Sequence, residues 1–449
     1  MSFGLAVTLG STIGVGILRT PGTVAAQLGS VRLVVALWLV GGLYALLGTL
    51  AVAELATMLP QAGGWYLYAR RALGEYAGFI VGWINWAAFC ASSASIAIAL
   101  GDYGVRLAPI LSGKTREVAI AVLLLFTVMH WLGVRIGSRA QEWMSFTTAL
   151  GFLALVVACF AFGGGARLSG SEQAGGFIPA TSSVLLALVV SFQSVIFTYD
   201  GWYSAIYFSE EDTDPARNLP RSMIGAVLAV IGLYVLINLA FLHVLPFAQL
   251  AASQLAAADA AQVIFGARGG DLVSMLSVLS LASITNATFM QTPRILYGMS
   301  RDGLFVPAAT VVNRQGTPTV ALMVCSGAAI LLVLSGTFEK LLAITAVCFV
   351  LMYGSGFVSL LVLRRRESNL PRPFKAWGYP WTIVVALGLS LVFLGGVVMS
   401  DPTGSADALI AVAASYPCYL LVRRLNARSG GIKIGRQPDD GDRQPGNSS

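Results

Sequence analysis

Charged side chains are scarce in this chain: Asp, Glu, Lys and Arg together make up 11% of its 449 residues, whereas a soluble domain carries about 25%. Histidine is scarcer still, with His130 and His243 alone. Little is left for acid–base or metal chemistry. There is no HExxH, no GxSxG and no pair of carboxylates on one helix face, so an intramembrane hydrolase is not expected. Cys90, Cys159, Cys325, Cys348 and Cys418 stand in apolar stretches without CxxC or metal-ligand spacing. They read as small buried hydrophobes rather than a disulfide framework, and neither a metal nor a cofactor is expected. The first apolar segment has no basic n-region and no small-residue cleavage site before its glycines, so no cleavable signal peptide is expected.

What the chain does have is apolar length. It is 56% hydrophobic with a mean hydropathy of +0.77, and its charges fall between stretches of about 20 residues, enough to cross a bilayer. The pattern predicts an all-α membrane protein with twelve spans, at 2–27, 31–59, 75–101, 117–134, 142–163, 182–209, 221–246, 270–298, 318–336, 340–363, 379–399 and 406–422. Most of the 28 basic residues, among them Arg70, Arg71, Arg217, Arg221, Arg301, Arg364 to Arg366 and Arg423, then share one side with both termini. By the positive-inside rule that side is the cytoplasm, and the location is the cell membrane. The net charge of +7 is explained by anionic lipid at the inner face, with no nucleic-acid partner. Longer loops are expected at 103–116, 164–181, 247–269 and 364–378, with a short interfacial helix over 253–265. The polar stretch 425–449 reads as a disordered tail.

Two of these spans are interrupted. Gly10-Ser11-Thr12-Ile13-Gly14-Val15-Gly16-Ile17 places three glycines in the first. Irregular backbone at membrane depth is tolerated only where it is buried in protein or lines a cavity. In the sixth, an apolar helical run ends in Thr198-Tyr199-Asp200-Gly201-Trp202, and a carboxylate inside a span is costly unless it faces a polar cavity. Each broken span opens a set of five, the pattern of an inverted-repeat transporter with its site at the midplane. The expected organisation is a transporter domain over 1–424, with repeats at 1–163 and 182–363 and two extra helices at 379–424. The first break offers N–H groups at a half-helix N-terminus, which suit an anion. The second offers free carbonyls, which suit an ammonium. Together they fit a zwitterion. Helix packing through small residues is the other reading of the glycines.

At this point the residues become recognisable. Gly10 to Ile17 followed by Thr20-Pro21-Gly22 resembles the first-span signature of the amino acid–polyamine–organocation (APC) superfamily. Phe197 to Trp202, followed by Glu210-Glu211 and Asp214 to Arg221, resembles the L-type amino acid transporter branch and its bacterial relatives. Ala53-Glu54-Leu55, Pro60 to Gly64, Gly133-Val134-Arg135 and Met299 to Gly303 add to the match. The resemblance implies a LeuT-like five-plus-five inverted repeat with broken helices 1 and 6. It implies a substrate carboxylate on the N–H groups of Gly14, Val15 and Gly16, and an α-amino group on the carbonyls of Thr12, Phe197 and Asp200. It makes Phe197 the aromatic that closes over the substrate, with Tyr199, Trp202 and residues of spans three, eight and ten near the variable side chain. It makes Gly201 a further substrate-binding position. Three departures stand out. Val15 replaces a Ser or Thr, Thr148 stands where many relatives have a lysine, and His130 replaces an Asn before Gly-Val-Arg.

The function expected is secondary transport of small neutral L-amino acids by exchange or proton symport. A polyamine or cationic amino acid transporter, a sodium-coupled symporter and a non-transporting sensor are the alternatives. Asp200 reads either as a coupling or substrate-contacting carboxylate or as a structural acceptor capping the second half-helix. Glu210, Glu211, Arg217 and Arg221 form a candidate inner-gate charge network, or a solvated loop. Glu54 is expected to pair with basic inner-loop residues, and His130 and His243 to be interfacial, although His130 is a coupling candidate because imidazole titrates near neutrality. Ser280, Ser283, Thr285 and Asn286 form a polar stripe that either lines a cavity or bonds between helices. Ser280, Ser283 and Thr148 are the other coupling candidates. The partners expected are an amino acid and membrane lipid, in a monomer or homodimer.

Overall fold

Inside hydrocarbon the backbone must satisfy its own hydrogen bonds, so each apolar run closes into a helix. The computed structural model describes residues 1–164, 184–335 and 338–428. Segments 165–183, 336–337 and 429–449 lie outside the described residues, and with them most of the expected loop at 164–181 and of the expected tail at 425–449. The first half consists of α1 (Ser2–Thr12), α2 (Gly16–Leu28), α3 (Val31–Met58), α4 (Trp65–Leu73), α5 (Glu75–Leu107), α6 (Thr115–Leu132) and α7 (Val134–Phe162). Then come α8 (Val184–Thr198), α9 (Pro215–Val244), α10 (Phe247–Ala252), α11 (Ala256–Phe265), α12 (Gly269–Arg301) and α13 (Thr319–Ser335). The chain closes with α14 (Phe338–Arg366), α15 (Trp381–Ser400), α16 (Pro402–Ala413) and α17 (Ser415–Arg428).

This is a multi-pass, all-helical membrane protein. Among the described residues nine helical stretches are long and apolar enough to cross a bilayer, and the bent pair α1–α2 makes a tenth. The helices at the sixth and ninth expected positions, α8 and α13, are apolar but shorter. A stripe on α7 faces outward, with Trp143, Phe146, Leu150, Leu153 and Val157 all exposed at helical spacing. Such a surface is stable only against lipid.

Three boundaries differ from the sequence expectation. The first break is narrower than its glycines suggest, because α1 continues through Gly10 to Thr12 and only residues 13–15 leave the helix. Gly10 serves packing instead: a Cβ there would stand 2.2 Å from Gln141 Nε2 and from Ser145 Oγ, both on α7. Helix α7 starts at Val134 rather than near 142, so Arg135, Arg139 and Gln141 belong to it. The short helix α4 was not expected, and its Trp65, Tyr66 and Tyr68 are buried. The helix expected over 253–265 is present as α11, which packs on α12 and α2.

Long helices frame the interior. α5 lies along α14 and α12, and α3 lies along α9. Within that frame α1 packs on α7, α9 and α12, while α2 packs on α8 and α10. The two broken spans meet at Gly201. With φ +108° it adopts a backbone conformation that side chains disfavour, and a Cβ there would lie 2.7 Å from the Ser11 carbonyl group and 2.9 Å from Thr12 N. Glycine is therefore demanded twice, by conformation and by contact. Replacing it with alanine (Gly201→Ala) is expected to destabilise the fold by about 1–3 kcal/mol, read as a lowered thermal melting temperature of the detergent-purified protein.

Candidate functional site

At the first break α1 ends with Ile13 in an extended conformation, φ −75° and ψ 93°, and α2 starts at Gly16 with a bend of 45°. Helix ends leave backbone groups without intrahelical partners. The carbonyls find side chains. The Tyr234 hydroxyl of α9 lies 2.7 Å from Thr12 O and 3.1 Å from Thr198 O, so one proton serves the ends of both α1 and α8. Ser280 Oγ of α12 donates to Ile13 O at 2.6 Å. The amides are treated differently: among the described residues no backbone carbonyl accepts from Gly14, Val15 or Gly16 N–H. These groups open α2, where the helix dipole favours negative charge.

In the sixth span α8 ends at Thr198, the chain turns, and a 3₁₀ segment runs from Ser204 to Glu211. Thr198 Oγ1 contacts Thr20 Oγ1 at 3.0 Å, which ties the second half of span one to this break. The Asp200 carboxylate accepts a hydrogen bond from the Tyr353 hydroxyl of α14, with Gly201 N–H and Tyr203 as further partners. It is thus anchored sideways to α14 as well as to the adjacent backbone.

The breaks share one cavity of about 510 Å³. Thr12, Gly14, Val15 and Gly16 form one wall, and Phe197, Thr198 and Asp200 another. Facing them are Ser92, Ser95 and Ile96 of α5, Ile284 of α12 and Phe349 of α14. Arg19 and Asp401 also line the cavity. Asp401 caps α16, and its bonds from Gly404 N–H and Thr403 Oγ1 hold its carboxyl below the usual carboxylate range.

Three expected site residues do not line the cavity. Tyr199 is buried behind it, donating to Trp38 O at 3.1 Å and packed on Tyr234. Gly201 is covered by Ser11 and Thr12. Trp202 is buried against Trp65 and Tyr353, with its ring over Gly48. Along α14, Phe349 faces the cavity, Tyr353 joins this aromatic layer one turn later, and Arg364 lies beyond it. The layer, with Trp65, Trp202, Tyr203 and Tyr353 all buried, therefore separates the cavity from the charged end of the bundle.

At that end the expected charge network exists with other partners. Glu210 pairs with Arg301 at 2.6 Å, and Glu211 with Arg294 at 2.6 Å. Arg294 also lies 4.4 Å from the centroid of Phe208, and Glu210 accepts Ala62 N–H at 2.8 Å. Arg217 and Arg221 are exposed on α9 and form no ion pair among the described residues. Glu54, expected to pair with basic residues, is fully buried and meets Arg364 at 2.8 Å, Arg372 at 3.4 Å and Ala376 N–H at 2.7 Å.

Of the coupling candidates, Asp200 lines the cavity and His130 lies on α6. Ser280 and Ser283 of α12 and Thr148 of α7 lie outside the cavity lining, on helices that pack against each other. Gln141 Nε2 donates to Ser145 Oγ at 3.0 Å and Ser283 Oγ at 3.2 Å, and Gln141 Oε1 accepts from Asn286 Nδ2 at 2.8 Å. Ser145 Oγ donates to Ala6 O at 2.7 Å. The stripe on α12 thus bonds between helices, apart from Thr285, which returns to Leu281 O. Thr148 Oγ1 is buried without a partner among the described residues. His130 is buried rather than interfacial and stacks on Phe289, while His243 is half-buried beside Phe160.

Paired broken helices around a shared cavity, in a bundle of membrane-length helices, define a membrane transporter rather than an enzyme. The sequence profile of the amino acid permease family matches residues 4–420, and the chain belongs to that family. It is 27% identical over 435 residues to the serine/threonine exchanger SteT of Bacillus subtilis (strain 168), covering 95% of this chain and 96% of that one. The b(0,+)-type amino acid transporter 1 of Mus musculus is 26% identical, covering 89% and 82% of the two chains. The Asc-type amino acid transporter 1 of Mus musculus is 28% identical, covering 92% and 79%.

Tyr234, Tyr353, Gln141 and the α5 serines escaped sequence reasoning. A tyrosine or serine in an apolar helix carries no mark of which face it takes, and Gln141 lay outside the expected span. Removing the hydroxyl in Tyr234→Phe leaves two carbonyls short of a donor and is expected to destabilise by about 1–3 kcal/mol. Glu54→Ala strands Arg364 and Arg372 and is expected to lose about 3–5 kcal/mol. Melting temperatures of the purified variants against the parent check both.

Proposed function

We propose that this protein exchanges small neutral L-amino acids across the cell membrane by alternating access, with both termini cytoplasmic. The observation that carries the reading is the cavity lined by Gly14, Val15 and Gly16, whose amides have no backbone acceptor among the described residues, together with Phe197 and Thr198 at the carbonyl end of α8. The substrate carboxylate sits on those three amides. The α-ammonium sits against the carbonyls of Thr12, Phe197 and Asp200; Thr12 O keeps a second lone pair beside its bond from Tyr234. Phe197 closes over the bound molecule. The side chain points toward Ser92, Ser95, Ile96 and Phe349, a wall without charge. Asp200 is already engaged by Tyr353, which argues against its use as the counter-charge of a polyamine or arginine.

Exchange without sodium is supported by the Gln141 cluster. The hydroxyls nominated as cation ligands are bonded instead to protein: Ser280 to Ile13 O, and Ser283 to the Gln141 amide. A neutral NH₂ donor stands where a cation would need oxygen ligands. The repeats are assigned to 1–163 and 182–363, with twelve crossings and α15 to α17 added at the end. The ion pairs of Glu210 and Glu211 close the cytoplasmic gate.

The test is labelled alanine uptake into proteoliposomes preloaded with alanine, serine, leucine, arginine or putrescine. Small neutral amino acids inside are expected to stimulate uptake, and replacing sodium by choline to leave it unchanged. Stimulation by arginine or putrescine, or a requirement for sodium, would overturn the reading. In Ser95→Leu the added bulk is expected to lower alanine exchange by about tenfold or more while the melting temperature stays put.

A further inference from the structure

Away from the cavity, a groove of about 610 Å³ lies between the first turns of α9 and the segment joining α14 to α15. Arg217 and Arg221, four residues apart on one face of α9, stand at its charged end, and both are exposed. Neither has a carboxylate partner among the described residues. Of the neighbouring acids, Glu210 is engaged with Arg301, Glu211 with Arg294 and Asp212 with Asn218 at 2.7 Å. The exposed Asp214, just before α9, makes no ion pair with either arginine among the described residues. One and two turns further along α9 the groove becomes apolar at Ile224 and Leu228, the latter 52% exposed. The opposite wall is Phe374 and Trp377, with Trp377 62% exposed.

The order of chemistry along this groove is specific. Two guanidinium groups with no ion pair among the described residues mark the end of a spanning helix, and apolar surface follows toward the membrane interior. A tryptophan stands beside them at the depth where indole rings sit in the interface. We infer that this groove binds an anionic glycerophospholipid. Its phosphate lies between Arg217 and Arg221, where guanidinium forks match phosphate oxygens. The glycerol backbone rests on Trp377, and the acyl chains run over Ile224 and Leu228. A soluble phosphate would leave that apolar floor unused, and a zwitterionic headgroup would leave the two cations uncompensated.

Native mass spectrometry of the full chain in uncharged detergent, titrated with phosphatidylglycerol or phosphatidylcholine, tests this. Phosphatidylglycerol is expected to bind tightly and phosphatidylcholine weakly. The double variant R217Q/R221Q is expected to lower the phosphatidylglycerol affinity about thirtyfold, from two cations near a membrane surface. R217K/R221K is expected to retain most of it, and Leu228→Asp to weaken it with both arginines intact. These side chains are exposed, so unchanged melting temperatures are expected for all three variants. Equal binding of the two lipids, or full retention in R217Q/R221Q, would overturn the proposal. Displacement of the lipid by millimolar inorganic phosphate would overturn the lipid assignment in favour of a simple anion site.

Discussion

The structure turns on where interrupted backbone finds its partners inside hydrocarbon. Each unmet N–H or C=O there costs several kcal/mol, so two broken spans are tolerable only if other helices repair them. Tyr234 does most of this, placing one hydroxyl between Thr12 O and Thr198 O, and Ser280 serves Ile13 O. Carbonyls receive donors from side chains, while among the described residues the amides of Gly14, Val15 and Gly16 have no backbone acceptor. That asymmetry is what the proposed carboxylate site at this break rests on.

Magnitudes separate the charges that can move from those that cannot. Glu210 with Arg301 is a half-exposed pair, of a kind worth about 0–1 kcal/mol, so breaking it during a conformational change is inexpensive. Glu54 is fully buried among Arg364, Arg372 and Ala376 N–H, and stranding it would cost several times more. The first kind suits a gate, whereas the second fastens α3 to α14. Between them the layer of Trp65, Trp202, Tyr203 and Tyr353 seals the cavity with apolar area that would have to shift as a unit.

Much of this was legible beforehand, because hydropathy and broken runs are local properties. The spans, both interruptions and the family motifs needed no tertiary information. The details that failed were relational. Gly10 looked like part of a break and is a packing glycine, since only the approach of Gln141 and Ser145 gives it that use. Trp202 looked like a cavity residue, yet it faces Gly48 on another helix. Arg217 and Arg221 looked like gate partners because they are near Glu210 in sequence, whereas Arg294 and Arg301 reach the glutamates from α12.

The amino-acid sequence by itself determined the class and the sites of interruption. Apolar length dictates helices in a bilayer, and glycine and a buried carboxylate reveal where a helix cannot run on. Only the tertiary structure decided which hydroxyls repair the breaks, which face of α5 lines the cavity and which arginines meet Glu210 and Glu211. Those choices depend on the rotation and register of one helix against another. They are set by packing between segments far apart in the chain, and no local pattern records them.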